Sequence, residues 1–362
     1  MARHLTAEER WSELSDGSPS VCLGKLSFPP CIDGEGHFDK TRLNALPLPD
    51  QALLLLLMQL SLQGLAGWQA AGAVARICGQ FSEDDVLPFV SACLERFQTW
   101  TQRPLASDYP FLYVCAHPVR IFGTSEASLL TVLSAVGVSG LTGHRECLGL
   151  AIGDGSPNSW MQFFDSLRAR GLSAPDLVIS PFLPNMPPAA KQIFPEASFQ
   201  RCQEELTACV LRRAPGEFRR EMRSRLRTLF SLSTLESAEK EVQSFASDFV
   251  KAAPNSVSCL AHGFADASTV FQYPRTLRPR LGSYHSSFRK LTETLTKREK
   301  ILTVYPDRDA VCLLVASVYY SFSQLWFSSL HPFLSLSVYR KWKETGDDSS
   351  SGELRRKSPV YF

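Results

Sequence analysis

The feature that most constrains the fold is a change of hydrophobic period after the segment Trp100-Thr-Gln-Arg-Pro104. Before it, apolar residues recur at the three-to-four-residue spacing of helices with a buried face; after it they fall in short continuous or alternating runs. Three such runs, 111–119, 128–138 and 146–152, are separated by glycine-containing turns and read as consecutive strands. An amphipathic helix over 160–170 follows, with Trp160, Phe163, Phe164 and Leu167 on one face and Gly171 as its terminator. A strand over 176–180, a helix over 188–193 and a strand over 198–202 complete the segment. The fold class is therefore α/β.

The flanking regions read differently. Residues 1–45 are rich in turn formers (Asp16-Gly-Ser-Pro, Phe28-Pro-Pro, Asp33-Gly-Glu-Gly) and predict a loosely ordered leader. Over 46–104 the pattern predicts three helices: 51–62 with Asp50 as N-cap, 68–77, and 83–100 with Ser82 as N-cap. Gly64 and residues 79–81 mark the breaks, a spacing consistent with a helix-turn-helix-like unit. The chain reads as helical throughout 203–253 and again over 286–296 and 307–330, whereas 341–362 is poor in apolar residues and predicts a disordered tail.

Bulk properties narrow the function classes. A chain of 362 residues with 44% apolar and 20% charged residues is that of a soluble protein of two or three domains. Its formal net charge of +2 means that any nucleic-acid footprint is local. Ten cysteines with no Cys-x-x-Cys spacing, several inside apolar runs, predict reduced thiols in a cytoplasmic protein. The first ten residues carry no signal-peptide pattern. The apolar run 52–62 is shorter than the roughly 20 residues a membrane span needs. The longer stretch 310–338 contains Gln324, His331, Pro332 and many serines, so it reads as a buried helix with a break at Pro332, and no membrane partner is expected.

The residues also carry a family resemblance. Trp100-Thr-Gln-Arg-Pro-Leu, Tyr109-Pro-Phe-Leu-Tyr-Val, Arg145-Glu-Cys-Leu-Gly-Leu-Ala-Ile-Gly-Asp154, Ser159-Trp-Met-Gln-Phe-Phe-Asp-Ser-Leu-Arg-Ala-Arg-Gly-Leu172, Leu177-Val-Ile-Ser180 and Ile193-Phe-Pro-Glu-Ala-Ser-Phe-Gln-Arg-Cys202 occur in the order and spacing of one family. The chain resembles bacterial Mutator-type insertion-sequence transposases over about residues 46–330. The resemblance implies an RNase H-like core with a mixed five-stranded sheet, for which strand-strand-strand-helix-strand-helix-strand is the expected order. It divides the chain into a helix-turn-helix-like DNA-binding domain (46–104), the first part of the core (105–202), a helical insertion (203–282) and the final core helices (283–340).

In such transposases two aspartates at strand ends and a glutamate on a late helix hold two divalent cations, usually magnesium, that drive phosphodiester cleavage and transfer. The resemblance places these positions at Cys115, Pro181 and Phe288. Cysteine is a soft ligand, and proline and phenylalanine have no ligating side-chain atom. The expectation is a catalytically inactive member with no cofactor. Neighbouring acids do not substitute. Asp176 lies five residues before Pro181, roughly 16 Å away at ~3.3 Å per residue, and Glu293 points about 140° around the helix from Phe288. A family Cys-x-x-His pair corresponds here to Cys202 and Glu205, with Cys209 where the family has an asparagine; Cys202 reads as a core cysteine.

Three acids open the third predicted helix, Ser82-Glu-Asp-Asp, which suits a helix start but repels a phosphate backbone. Basic character lies downstream. Residues 201–230 hold eight Arg against four Glu, and 272–300 hold eight Lys or Arg against two Glu. Candidate DNA contacts are Arg212, Arg213, Arg219, Arg220, Arg223, Arg275, Arg278 and Arg280, set against the simpler reading of a solvated charged face. Cys115-Ala-His117 lacks the orienting group of a thiol nucleophile, and Gly153-Asp-Gly155 is a turn rather than a phosphate loop. By resemblance the partners are DNA with terminal inverted repeats and a second copy or an active transposase. The alternatives are a non-enzymatic DNA-binding or transposase-inhibiting protein, and a decayed reading frame.

Overall fold

The computed structural model describes residues 20–105, 108–122, 128–302 and 304–345. The chain divides into two compact units, one built from the segment ending at Arg103 with Pro118–Leu130 and Lys290–Gln324, the other from Pro104–His117, Thr131–Arg289 and the segment from Leu325 onward. The segment expected as final core helices, 283–340, is thus shared between both units.

In the first unit, β1 (Val21–Leu23) and β2 (Leu26–Phe28) form an antiparallel hairpin whose two-residue turn uses Gly24 at φ 61°. The helix α1 (Lys40–Ala45) is capped by Asp39, whose carboxylate accepts from the Thr41 amide at 2.8 Å. The described part of the expected loose leader therefore has structure. Its turn formers close a hairpin, cap a helix and fold Asp33 back onto the amides of Glu35 and His37, each at 2.9 Å.

Helices α2 (Leu48–Leu62), α3 (Trp68–Cys78) and α4 (Glu83–Thr101) follow where the sequence placed them. The expected Asp50 N-cap is corrected. Pro47 occupies that position, and Asp50 is buried in the first turn, paired with Arg298 at 2.6 Å. Because α2 is apolar on every side rather than amphipathic, it is buried nearly throughout. Ser82 does open α4: the Asp85 carboxylate accepts from both its amide (3.1 Å) and its hydroxyl (2.9 Å).

The second unit is built on a five-stranded mixed sheet. Its strands are β3 (Phe111–Ile121), β4 (Ser128–Val138), β5 (Arg145–Gly153), β6 (Leu177–Ser180) and β7 (Ser198–Arg201), in the order β5-β4-β3-β6-β7. β4 and β5 are antiparallel; β3, β6 and β7 run parallel. Between them come α5 (Pro157–Ala169), before β6, and α6 (Met186–Ile193), before β7. This is the strand-strand-strand-helix-strand-helix-strand order expected from the sequence. The period-2 geometry of β3 sends Leu112 and Val114 into a core with Trp160, Phe163, Phe164 and Phe194. Its opposite face sends Phe111 against Tyr273 and Tyr339, and Tyr113 against Phe333.

After β7 the chain is helical: α7 (Gln203–Arg212), α8 (Arg219–Ser231), α9 (Leu235–Phe249), α10 (Pro254–Ala267), a 3₁₀ turn and α11 (Arg278–Leu281). The expected continuous helical stretch is broken at Pro215-Gly216 and again before Thr234, which caps α9. The last helices are α12 (His285–Glu299), α13 (Arg308–Phe327) and α14 (Leu336–Thr345). α14 occupies the start of the expected disordered tail; the remainder of that tail lies outside the described residues. α13 is long and apolar enough to cross a membrane by length and composition, but 61% of its most apolar window is buried in the fold. Within the first unit its Tyr320 meets Trp100 edge-on, ring centroids 5.3 Å apart.

Candidate functional site

Parallel pairing of β3 with β6 sets Tyr113 opposite Ile179. Two residues on, the same register brings Cys115 level with Pro181, the first residue beyond β6. Cys115 is 5% exposed, and its carbonyl accepts from the Ser134 hydroxyl at 3.3 Å. Its thiol is pushed up to about 12 by burial, so it is protonated at neutral pH. A protonated, enclosed sulfur is neither a nucleophile nor a metal ligand. Phe288, the fourth residue of α12, is fully buried.

Tyr284 joins these positions. Its ring centroid lies 6.0 Å from that of Phe288, and its hydroxyl is held above the usual range by burial first and then by Cys115, Cys202, Glu205 and Glu204. Cys202 is buried and donates to the Ser283 hydroxyl at 3.8 Å, as a core cysteine would. The structure thus brings Cys115, Pro181, Phe288 and Cys202 into one neighbourhood.

Two carboxylates act on Tyr284: Glu205, named from the sequence only as the family histidine position, and Glu204, which the sequence reading did not single out. They open α7, where negative charge suits the helix start. Each is already engaged. Glu204 accepts from Ser283 and from Arg289, both at 2.8 Å, and Glu205 from Arg201 at 3.4 Å. Arg201 in turn lies 4.4 Å from the ring centre of Phe182. Asp176 is at the other end of β6, bound by the Tyr339 hydroxyl and by Lys343 at 2.9 Å. Glu293 is exposed.

Among the described residues no three His, Cys, Asp or Glu side chains are grouped so as to hold a metal ion. The three positions themselves offer one protonated sulfur and two side chains without donors. That set does not fit a hard divalent cation, which wants several oxygen ligands. No metal-dependent step follows from it.

The predicted arginines separate into groups. Arg212, Arg219 and Arg223 line one open groove of about 490 Å³ between α7 and α8, together with Glu204. Arg220 is exposed on α8 and Arg275 is exposed before α11. Arg213 turns away, its guanidinium 2.9 Å from the Cys209 sulfur. Arg280 is exposed and stacks 4.9 Å from the Phe333 ring centre.

Arg278 is a correction. It is buried, and its guanidinium donates to the carbonyls of Tyr273 (2.8 Å), Ser233 (2.7 Å) and Phe271 (3.1 Å). With its donors used on backbone oxygens, it is a structural tie rather than a phosphate contact. Arg145 is a further cation missed from sequence. It lies between the rings of Trp326 and Phe333, 4.5 and 4.4 Å from their centres, and burial draws its pKa down to about 10.

Residues 23–329 match the protein family described as Transposase, Mutator family. Similar proteins include the transposase of insertion sequence element IS256 in transposon Tn4001 from Staphylococcus aureus, 24% identical over 315 residues (83% of this chain, 78% of the relative). The transposase of ISRM5 from Rhizobium meliloti is 22% identical over 324 residues (89% and 81%). That of IS1081 from Mycobacterium tuberculosis is 25% identical over 226 residues (62% and 54%). Among solved structures, the Drosophila P element transposase strand transfer complex aligns over 82% of this chain and 81% of that one at 8% identity, with a TM-score of 0.27, too low to carry an argument.

Proposed function

The chain belongs to the Mutator family of transposases, and from that premise we propose that it is a member without catalytic activity. In this reading it retains the RNase H-like frame and associates with DNA or with a transposase. One observation carries the proposal: Cys115, Pro181 and Phe288, the positions where the family resemblance expects metal-binding carboxylates, present a protonated thiol and two donor-free side chains. Glu204 and Glu205, the acids that act on Tyr284, are held by Ser283, Arg289 and Arg201.

The groove with Arg212, Arg219 and Arg223 supports the binding half of the proposal. Arg219 spends one donor on the Ala214 carbonyl at 3.1 Å, and a cluster of exposed arginines along a groove suits sequence-independent phosphate contact. The helices α2 to α4 are the proposed helix-turn-helix-like element, and the helical stretch from α7 to α11 the proposed insertion before the final core helices. The working compartment proposed is the cytoplasm. Acting as a non-enzymatic partner that occupies DNA ends or pairs with an active transposase is the companion reading, supported by the same groove.

The test is strand cleavage. Purified protein with magnesium or manganese and end-labelled DNA bearing terminal inverted repeats is expected to leave the strands intact. Nicking that disappears in Cys115→Ala would overturn the proposal.

A further inference from the structure

Four of the ten cysteines lie outside the buried set: Cys22, Cys209, Cys259 and Cys312. Cys209 on α7 and Cys259 on α10 are both partly exposed. The two helices pack against each other in antiparallel register. Ser256 donates to the Val210 carbonyl at 3.0 Å near one end of the contact. Toward the other end, Gly263 fits so close to Leu206 that an added Cβ would lie 2.5 Å from its Cδ1. Interpolating between these two contacts sets Cys259 opposite residues 208–209, and each of the two thiols is among the groups that shift the other.

The charges around the pair are asymmetric. Arg213 places its Nη1 2.9 Å from the Cys209 sulfur and 3.0 Å from its carbonyl oxygen. Burial opposes the Cys209 thiolate, but hydrogen bonds from Arg212, Cys259 and Arg213 outweigh it, and the thiol sits below its ordinary range. Burial, then the bond to Cys209, holds Cys259 above it. A partly exposed thiol of lowered pKa, beside a guanidinium group and near a second thiol, is the arrangement of an attacking and a resolving cysteine.

We propose that Cys209 and Cys259 form a redox pair that closes to a disulfide between α7 and α10 on exposure to a hydroperoxide. The Cys209 thiolate attacks the peroxide oxygen and the O–O bond breaks. With hydrogen peroxide the leaving hydroxide takes a proton to become water, and Cys209 becomes a sulfenic acid. Cys259 then attacks that sulfur, the S–O bond breaks, Cys259 gives up its proton and a second water leaves. Two thiols are oxidised by two electrons and one peroxide is reduced. Closure also removes the sulfur that Arg213 now contacts from the thiol pool.

The experiment treats the full-length protein with hydrogen peroxide at neutral pH, blocks free thiols and maps peptides without reduction. The expected result is a Cys209–Cys259 cross-link that dithiothreitol reverses. In Cys259→Ser, Cys209 is expected to accumulate as a sulfenic acid trapped by dimedone. In Arg213→Gln, an exposed position, alkylation of Cys209 at neutral pH is expected to slow at least about threefold. Full alkylation of both cysteines after peroxide treatment would overturn the proposal. So would a Cys209 that reacts no faster than Cys312, or one whose rate is unchanged in Arg213→Gln.

Discussion

Tyr113 pairs with Ile179 across the parallel strands β3 and β6, and continuing that register two residues sets Cys115 beside Pro181, the first residue past β6. In the proposed inactive reading, these two positions carry a thiol and a pyrrolidine ring where two carboxylates would converge. The fold is indifferent to the exchange, because main-chain pairing and the core beneath it use Leu112, Val114 and Val178 instead.

Placing a carboxylate back at one position should therefore harm the protein. Cys115→Asp buries an acid with no cationic partner, and its ionised form is the costly one. The variant is expected to lose roughly 2–4 kcal/mol, with the loss growing as pH rises through the raised carboxyl pKa. Urea denaturation at pH 5 and pH 8 measures it. A loss independent of pH would count against the enclosed, cation-free site.

Alkaline behaviour follows from the buried thiols. Cys115 and Cys31 are both pushed up to about 12, by burial in each case. A folded pKa above the unfolded value means the native state keeps its proton longer, so this stabilisation is complete below the unfolded pKa and is lost as pH climbs toward about 12. Stability is expected to fall steadily above pH ~9, and to fall less steeply in Cys115→Ser/Cys31→Ser than in the parent. Equal slopes in denaturant titrations would contradict the assignment.

Arg298 and Asp50 form a buried pair in the first unit, with burial still holding the Asp50 carboxyl above its usual range. Removing one partner strands the other. Arg298→Leu is expected to cost about 3–5 kcal/mol, whereas the double variant Asp50→Leu/Arg298→Leu should recover much of that loss. Thermal unfolding of the two variants against wild type reads the difference. Equal losses would mean that the pair is not coupled.

The arginines should divide by role. Charge reversal at Arg219, Arg220 and Arg223 is expected to leave unfolding unchanged, weaken DNA binding and flatten its dependence on salt by roughly one unit of log–log slope per lost phosphate contact. Arg278→Ala instead leaves three backbone carbonyls without their donor and is expected to destabilise the fold by about 3 kcal/mol. Filter binding across a salt series, run beside circular dichroism melts, separates the two classes.

Much of this architecture was legible in the sequence. The switch from helical to strand periodicity after Pro104 located the sheet, and Trp160, Phe163, Phe164 and Leu167 identified the helix face that covers it. Local signals erred where tertiary contacts decide. Asp50 has the chemistry of an N-cap, but its partner is Arg298, 248 residues away. Arg278 looked like one more cation in a basic run, and only the fold wraps three carbonyls around it. Glu204 and Tyr284 escaped notice because their proximity to Cys115 arises from the return of the chain at α12, which no spacing reports. The pairing of Cys209 with Cys259 escaped for the same reason: Cys209 stood out only as the family's asparagine position, and Cys259 not at all.

The most direct measurement is manganese binding to the full-length protein, by titration calorimetry and by the paramagnetic resonance of the free ion. The inactive reading predicts that added manganese stays free, and that the triple variant Cys115→Ala/Glu204→Gln/Glu205→Gln titrates no differently from the parent. A saturable manganese site in the parent that vanishes in that variant would contradict it.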